Sequence, residues 1–305
     1  MYEFKRILLC LDLTMMDEAL MKYTAMLVRY MKIEKIYMLH IAESLELDQE
    51  IKEQYPDFFA PMDEGIEADI KTRADEIFKD MDVDIEIEAM EGDPFERVLR
   101  WSKVKEVDIV VMGRKHDLPG SGYFSEKMAN MLLCSVLFVP ENVIAKLDRI
   151  LVPFDFSEFS DQALEQAVYL KNTYGGEVIA QHVYEVPQGY HRSGKSYEDF
   201  SEIMRKNAVK KLEAHIEQLD VIDLEDIEVE YTLKEKKGLC EIVNQFANET
   251  DVDLIVAGSR GRTPMASLLL GSVAGKLMRY DNILPVLIVK NKEGNMNFFE
   301  ALLNI

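Results

Sequence analysis

The sequence predicts an α/β fold made of two repeated, doubly wound parallel-sheet domains, each with strand order 3-2-1-4-5. The first supporting observation is that a set of apolar runs occurs twice, in the same order, along the 305 residues. The second is that amphipathic stretches separate these runs, and strands that alternate with helices build parallel sheets covered by helices. The third is the length, which fits two domains of roughly 100–200 residues each.

Four pairs of similar segments define the repeat, and such repetition fixes the architecture. In the first pair, both members have a charged start, an apolar run, one aspartate and then a hydroxyl residue. The pairs are residues 5–14 and 148–157, 37–41 and 179–183, 107–113 and 252–258, and 135–139 and 285–289. Their common order and spacing indicate a duplication. We therefore predict an N-terminal domain over 1–143, a C-terminal domain over 147–290 and a C-terminal tail over 291–305.

The elements of the second half follow from its local patterns. Ile150–Phe154 is an apolar run typical of a strand buried on both faces. Ser157 is a predicted N-cap, and Gly175-Gly176 ends the helix that it starts. Ile227–Leu233 alternates charged and apolar residues, which indicates a strand nearer a sheet edge. The remaining predicted elements are strands over 177–183, 254–257 and 286–290 and helices over 196–219, 238–248 and 271–279.

The charge of the chain disfavours several classes of partner. The formal net charge is −21, so the surface repels nucleic-acid phosphate and anionic membranes. Residues 43–96 hold 20 Asp or Glu against 4 Lys or Arg. We interpret this acidic segment as a solvated face. A calcium site is the alternative, although no Asp-x-Asp-x-Asp-Gly loop is present.

The cysteine and histidine patterns point away from metals and disulfides. Cys10, Cys134 and Cys240 are far apart, and the sequence has no CxxC, HxH or HExxH motif. Buried, inert thiols are therefore expected. The first apolar run stops at Asp12, too early for a secretory signal, and no apolar stretch approaches roughly 20 residues. We expect a cytoplasmic protein.

A glycine pattern after a buried strand of the second half is suited to phosphate. Gly258 ends that strand, and a residue without a side chain lets a ligand approach the backbone. Gly261 permits a tight turn, and Gly271-Ser272 opens a helix whose free N–H groups favour an anion. Arg260 and Arg262 add positive charge in an acidic chain. The spacing Gly-x2-Gly-x9-Gly-Ser therefore predicts an anion site.

The predicted strand order gives a second, independent indication of a site. Ligands of doubly wound sheets bind beyond the carboxyl ends of the strands, where the winding direction reverses. Asp155 ends the first strand of the second domain and Gly258 ends the fourth, so we expect them side by side. Asp155 can accept hydrogen bonds from a ribose or an amino group. Its alternative role is to cap the helix that begins near Ser157, and the two roles are compatible.

Taken together, these segments resemble two universal stress protein domains in tandem over essentially all of residues 1–290. The most specific elements are Val152–Ser157, His182-Val183 and the Gly258…Gly261…Gly271-Ser272-Val273 loop. The resemblance implies a Rossmann-like fold, similar to adenine-nucleotide alpha hydrolases, that binds ATP, ADP or AMP with Mg²⁺ as a companion. Asp155 and the backbone around Val183 would hold the adenosine, and the glycine loop would wrap the ribose and phosphates. The implied binding residues are Pro153, Phe154, Asp155, Val183, Ala257, Gly258, Arg260, Gly261, Gly271, Ser272 and Val273.

The first half departs from this pattern. Gly113 is retained, but His116 stands where the second half has Gly261. The stretch from Gly113 to Ser121 is five residues shorter than that from Gly258 to Gly271. We therefore predict one competent nucleotide site, in the C-terminal domain, with Asp12 as a relic or weak ligand.

The predicted function is that of a stress-response sensor or regulator that binds adenine nucleotide. Asp155 should lie at the nucleoside end, so no general base is placed near the phosphates, and any ATP hydrolysis is expected to be slow. Two alternatives stay open. One is a nucleotidyl- or phosphoryl-transferring enzyme in which Arg260 and Arg262 stabilise developing charge, and the other is an interaction scaffold.

The final strands of the two halves predict an assembly. Ser135–Val139 and Pro285–Val289 are apolar edge strands, which are a pairing hazard unless they are covered. Pairing them with each other would give an intramolecular pseudo-dimer of domains, which could double into a homodimer. The protein partner stays open.

Overall fold

The computed structural model describes residues 3–45, 62–115, 121–219, 222–261, 270–279 and 284–292. These fall into two compact units, each described by itself. The amino-terminal unit comprises residues 3–121 and 131–145 together with residues 291 and 292. The carboxyl-terminal unit comprises residues 146–290 together with residues 122–130.

In the first half of the chain, the described strands are all parallel and lie in the order β3-β2-β1-β4-β5. The central strands β1 and β4 are almost wholly buried, as their apolar sequences predict. The elements are β1 (Arg6–Leu11), α1 (Met16–Tyr30), β2 (Lys35–Ala42), α2 (Met62–Ile77), β3 (Asp84–Glu91), α3 (Pro94–Val104), β4 (Ile109–Arg114), α4 (Ser121–Met131) and β5 (Ser135–Pro140).

The second half repeats this arrangement, with described strands in the order β8-β7-β6-β9-β10 and parallel pairing throughout. Two single turns of 3₁₀ helix, Tyr190–Ser193 and Leu224–Asp226, lie in its connections. The elements are β6 (Arg149–Pro153), α5 (Glu158–Tyr174), β7 (Glu177–Tyr184), α6 (Tyr197–Ile216), β8 (Glu228–Leu233), α7 (Leu239–Glu249), β9 (Leu254–Gly258), α8 (Ser272–Arg279) and β10 (Val286–Val289).

The predicted fold class is confirmed, including strand order 3-2-1-4-5 within each half. The predicted helix signals also have their expected physical roles. Ser157 caps α5, and Gly175 ends it with φ of 86°, a backbone conformation that favours glycine. The strand predicted near an edge, β8, is the last of its sheet and the least buried, with no fully buried residue.

This topology brings two strand ends together in the carboxyl-terminal unit. β6 lies between β7 and β9, with Ile150 opposite Leu254 and Leu151 opposite Ile255. The winding direction reverses between β6 and β9, because β7 and β8 extend the sheet on one side and β10 on the other. The carboxyl ends of β6 and β9 therefore flank a switch-point crevice, the usual ligand position in such sheets.

The residue that follows the strand-end aspartate adopts the same unusual backbone conformation in both halves. Leu13 has φ of 62° and Phe156 has φ of 64°, in the left-handed region that non-glycine residues rarely occupy. Both residues lie directly after an aspartate, Asp12 in one half and Asp155 in the other. The turn that leads from the first strand into the first helix therefore contains a left-handed residue at the same position in the two repeats.

Candidate functional site

Asp155, at the end of β6, is held by the start of the next helix. Its Oδ1 accepts a hydrogen bond from the Ser157 hydroxyl at 2.6 Å and from the Ser157 backbone N–H at 3.1 Å. Ser157 in turn caps α5, because its Oγ accepts from the Ser160 N–H at 3.2 Å while the Ser160 hydroxyl accepts from the Ser157 N–H at 3.1 Å. Asp155 thus orients the cap, and its Oδ2 is directed to the neighbouring strand end.

The glycine loop lies against that carboxylate. A side chain on Gly261 would place its Cβ 2.8 Å from Asp155 Oδ2, closer than real contacts allow. A Cβ on Gly258 would collide with the carbonyl of Phe159 in the first turn of α5. The predicted proximity of Asp155 and Gly258 is therefore present, and both glycines are required by close packing rather than by positive φ.

The second wall of the loop is the start of α8. The Gly271 N–H donates to the Ser259 carbonyl at 2.9 Å, and a Cβ on Gly271 would lie 3.1 Å from the backbone of Arg260. α8 begins at Ser272, so the N–H groups of its first turn have no intrahelical acceptor. Residues 258–261 and 270–273 thus form adjacent walls of backbone. Arg262 and the rest of 262–269 lie outside the described residues.

An aromatic and histidine cluster supports the other side of Asp155. The Nδ1 atom of the buried His182 lies 2.9 Å from the Phe154 carbonyl oxygen, which fastens β7 to the end of β6. The Phe156 ring packs on His182 with centroids 4.5 Å apart, and the Lys211 ammonium lies 4.2 Å from the centre of the Phe156 ring. Val183, predicted to face the adenosine, follows His182 near the end of β7 and is partly exposed.

Two charged groups flank this cluster. His215 Nε2 lies 2.8 Å from Asp161 Oδ1, and burial raises the pKa of Asp161 although the His215 hydrogen bond opposes the rise. The Arg260 guanidinium lies 5.1 Å from the centre of the Phe159 ring, at the first turn of α5. The cation that sequence reasoning assigned to phosphate is thus at the crevice.

The corresponding place in the first half has a different occupant. Lys115 Nζ forms an ion pair with Asp12 Oδ2 at 2.6 Å. Burial raises the pKa of Asp12, but the bonds from Lys115 and Thr14 outweigh it, so that the pKa lies below its ordinary 3.8. A Cβ on Gly113 would lie 2.5 Å from Met16 Cγ. Asp12 is therefore already paired with a cation of its own chain. His116 lies outside the described residues.

Sequence reasoning missed Lys115. The signal that could have found it is its position, since Lys115 follows Gly113 by two residues as Arg260 follows Gly258. The Arg260 guanidinium lies over the Phe159 ring. The Lys115 ammonium forms an ion pair with Asp12, the aspartate at the end of the first strand. The histidines at matching strand positions do have matching contacts. His40 Nδ1 lies 3.1 Å from the Leu11 carbonyl oxygen, and His182 Nδ1 lies 2.9 Å from that of Phe154.

A separate groove of about 1050 Å³ lies between α1 and α2. Its walls include Lys22, Arg29 and Arg73 together with Glu18 and Glu76. None of the binding residues predicted from the sequence lines it, because all of them belong to the second half of the chain. The volume of this groove is therefore no guide to the position of the predicted nucleotide site.

The described residues include neither a metal-binding cluster nor a membrane-spanning helix. No group of three or more His, Cys, Asp or Glu side chains there could hold a metal ion. No described helix is both long and apolar enough to cross a bilayer. The three cysteines are free thiols, and burial, with a smaller contribution from Cys134, raises the pKa of Cys10 to about 12.

Comparison with known proteins identifies the family. The sequence matches the universal stress protein family over residues 3–140 and again over 146–290. The chain belongs to the universal stress protein family. The two matched ranges show that it carries two family domains in tandem, as the internal repeat predicts.

Relatives of this universal stress protein are both single-domain and tandem in length. Universal stress proteins MJ0577 and MJ0531 of Methanocaldococcus jannaschii are 30% and 32% identical to it, over 47% and 52% of this chain and 95% and 89% of their own lengths. A universal stress protein from Archaeoglobus fulgidus is 19% identical with a TM-score of 0.59, covering 95% of this chain and 97% of its own. PA1789 of Pseudomonas aeruginosa, described as functionally unknown, is 13% identical with a TM-score of 0.66, over 99% and 98%. These last two likenesses support the fold.

Proposed function

We propose that the second half of this universal stress protein binds an adenine nucleotide in the crevice between β6 and β9, and that the chain is a stress-response sensor or regulator. One observation carries the proposal. Gly261 lies so close to Asp155 that a Cβ there would be 2.8 Å from Oδ2. A hydrogen-bond acceptor for a ribose is therefore directly beside a glycine loop that ends at a helix start, which suits the anionic part of the same ligand.

Each part of the nucleotide is proposed to lie against a different part of the crevice. Asp155 accepts hydrogen bonds at the nucleoside end, next to Val183. The backbone of Gly258–Gly261 and of Gly271–Val273 faces the phosphates, and a bound Mg²⁺ would neutralise phosphate charge. Pro153, Phe154 and Ala257 close the base of the crevice from the strand ends. ATP, ADP and AMP share this chemistry, and the affinity for each is a measurable outcome.

The first half is proposed to bind no nucleotide. Lys115 pairs with Asp12, so a ribose would have to displace a cation to reach the carboxylate. In the second half a residue without a side chain, Gly261, lies beside the matching carboxylate. We therefore expect one adenine nucleotide per chain.

Calorimetric titration of the full chain with ATP and Mg²⁺ tests the proposal. The expected stoichiometry is one. Gly261→Leu should abolish binding in a chain that still unfolds cooperatively, because its side chain would displace the ligand from Asp155. Gly238→Leu is the matched control, since a Cβ at Gly238 meets nothing within 4 Å. Two equivalent sites, or ATP binding retained by Gly261→Leu, would contradict the proposal.

Catalysis is proposed to be weak. Asp155 is the carboxylate nearest the loop, but its Oδ1 is occupied by Ser157 and it lies at the nucleoside end. Mass spectrometry of ligand released from the purified protein should therefore find intact nucleotide rather than a product pair. Steady turnover of ATP with an acceptor would instead support the transferase alternative, and an empty pocket would support the scaffold alternative.

A further inference from the structure

A small apolar pocket lies in the amino-terminal unit, apart from the nucleotide crevice. Its volume is about 150 Å³, and apolar side chains from α3, the end of α4 and the start of β4 and β5 line it. The apolar lining residues are Leu99, Val107, Met131, Leu133 and Cys134. Met131 is 47% exposed, so the pocket opens to the surface.

The volume fits one kind of side chain. A protein cavity of about 150 Å³ lined by aliphatic side chains is known to accept benzene, and the pocket here has the same size. A phenyl ring would therefore fill it. The sequence places two such rings, Phe298 and Phe299, a few residues after the last described position.

The chain is fastened to the rim of this pocket immediately before those rings. Lys292 lines the pocket, and its ammonium contacts Asp108 Oδ1 at 2.7 Å and the Glu106 carbonyl oxygen at 2.5 Å. Asp108 is itself fixed, because its Oδ2 accepts the N–H groups of Lys5 and Arg6, each at 2.9 Å. This ion pair is three-quarters buried, which holds residue 292 at the pocket entrance.

The following sequence has the reach and the pattern to enter the pocket. Phe298 lies six positions after Lys292, and an extended chain spans about 3.3–3.6 Å per residue, so a pocket that begins at Lys292 is within range. Phe298, Phe299, Leu302 and Leu303 recur at a spacing that would place them on one face of a helix. Residues 293–305 lie outside the described residues.

We propose that the segment 298–303 of the same chain docks on this pocket, with one phenylalanine ring between Leu99, Val107 and Leu133. The segment would then be held on the amino-terminal unit, to which residues 291 and 292 belong. The proposal does not depend on nucleotide binding.

Hydrogen-exchange mass spectrometry of the full chain tests the proposal. We expect the amides of 298–303 to exchange at least about tenfold more slowly than in an unstructured peptide. Leu133→Asp should abolish that protection, because a carboxylate in the pocket opposes burial of the ring. Leu239→Asp is the matched control, since it makes the same change at a leucine 40% exposed that does not line the pocket. Protection that is missing in the wild type, or that persists in Leu133→Asp, overturns the proposal.

A second variant keeps the test decisive if Leu133→Asp fails to fold. Phe298→Ser combined with Phe299→Ser should increase exchange in the pocket wall over 99–107 and 131–134, whereas Asn297→Ser should not. A dilution series identifies the donor of the segment. Protection that is independent of protein concentration supports docking within one chain, whereas protection that falls on dilution shows that a second copy supplies the segment and overturns the proposal.

Discussion

At the scale of single residues, the crevice depends on places where no side chain fits. The Gly258 backbone is packed against the carbonyl of Phe159, and Gly261 against the Asp155 carboxylate. Sequence reasoning found both glycines, because a glycine that ends a buried strand is readable from the pattern. The strand order placed Asp155 beside the loop, but the contact of Gly258 with Phe159 could not be found, since Phe159 lies about a hundred residues earlier in the chain.

Gly258→Ala is expected to destabilise the chain by about 1–3 kcal/mol, because the added methyl group collides with backbone that cannot move independently of α5. Urea unfolding measures the change. Gly65→Ala is the matched control, since Gly65 lies in α2 and a Cβ there meets nothing within 4 Å. The control should stabilise the chain by about 0.5–1 kcal/mol through helix propensity. Equal effects of the two substitutions would contradict the packing that we describe.

The ion pair of the first half gives a prediction on pH. The pKa of Asp12 lies below 3.8, so its ionised form contributes stability above that pH, which is lost as the pH falls through the folded-state pKa. Lys115→Gln removes the chief opposing cause and leaves burial, which raises the pKa, against the Thr14 bonds, which lower it. We therefore expect the Asp12 pKa to rise above its wild-type value, as measured by carboxyl-carbon NMR titration. An unchanged value would show that Lys115 does not control this carboxylate.

At the scale of elements, the helix that follows β6 links stability to the site. Ser157 both caps α5 and holds Asp155. The cap is readable from sequence, because a serine before an amphipathic run is a common helix start. The left-handed backbone at Phe156 is not, since phenylalanine gives no sign of positive φ. The orientation of the Asp155 carboxylate thus depends on a left-handed turn at Phe156 that the sequence does not predict.

Substituting two helix caps can distinguish the role of Ser157 in helix stability from its role in holding Asp155. Ser157→Ala and Ser196→Ala each remove the N-cap of a helix, of α5 and of α6, and each should cost about 1 kcal/mol of folding stability. Only Ser157→Ala should also weaken ATP binding, by about tenfold, because it frees Asp155 to rotate. Thermal melting and calorimetric titration measure the two effects. Equal ATP affinity in both variants would show that the Ser157 bond does not position the carboxylate.

At the scale of the whole molecule, the sequence reveals the duplication and the two sheets because both depend on repeated apolar patterns, which are local. Residues 122–130 of α4 group with the second half of the chain, and residues 291 and 292 with the first. No pattern in the sequence signals either assignment, since each depends on contacts such as that of Lys292 with Asp108. Element boundaries are therefore predictable from the sequence, whereas this grouping is not.

The pairing of the final strands of the two halves stays a prediction from the sequence. It implies one compact particle per chain, because two apolar strand edges would cover each other. Small-angle X-ray scattering of the full chain should show a single compact envelope, with twice the chain mass if the pseudo-dimer doubles. Two separated lobes joined by a flexible connection would contradict the pairing.

The matching left-handed turns at Leu13 and Phe156 have a consequence for engineering. The amino-terminal repeat still builds the costly corner that presents a carboxylate, although a lysine now neutralises it. Grafting the longer glycine loop there while removing Lys115 would therefore rebuild only a surface connection, with the underlying sheet and corner already in place. If the second half binds a nucleotide as proposed, the grafted chain should bind two nucleotides instead of one.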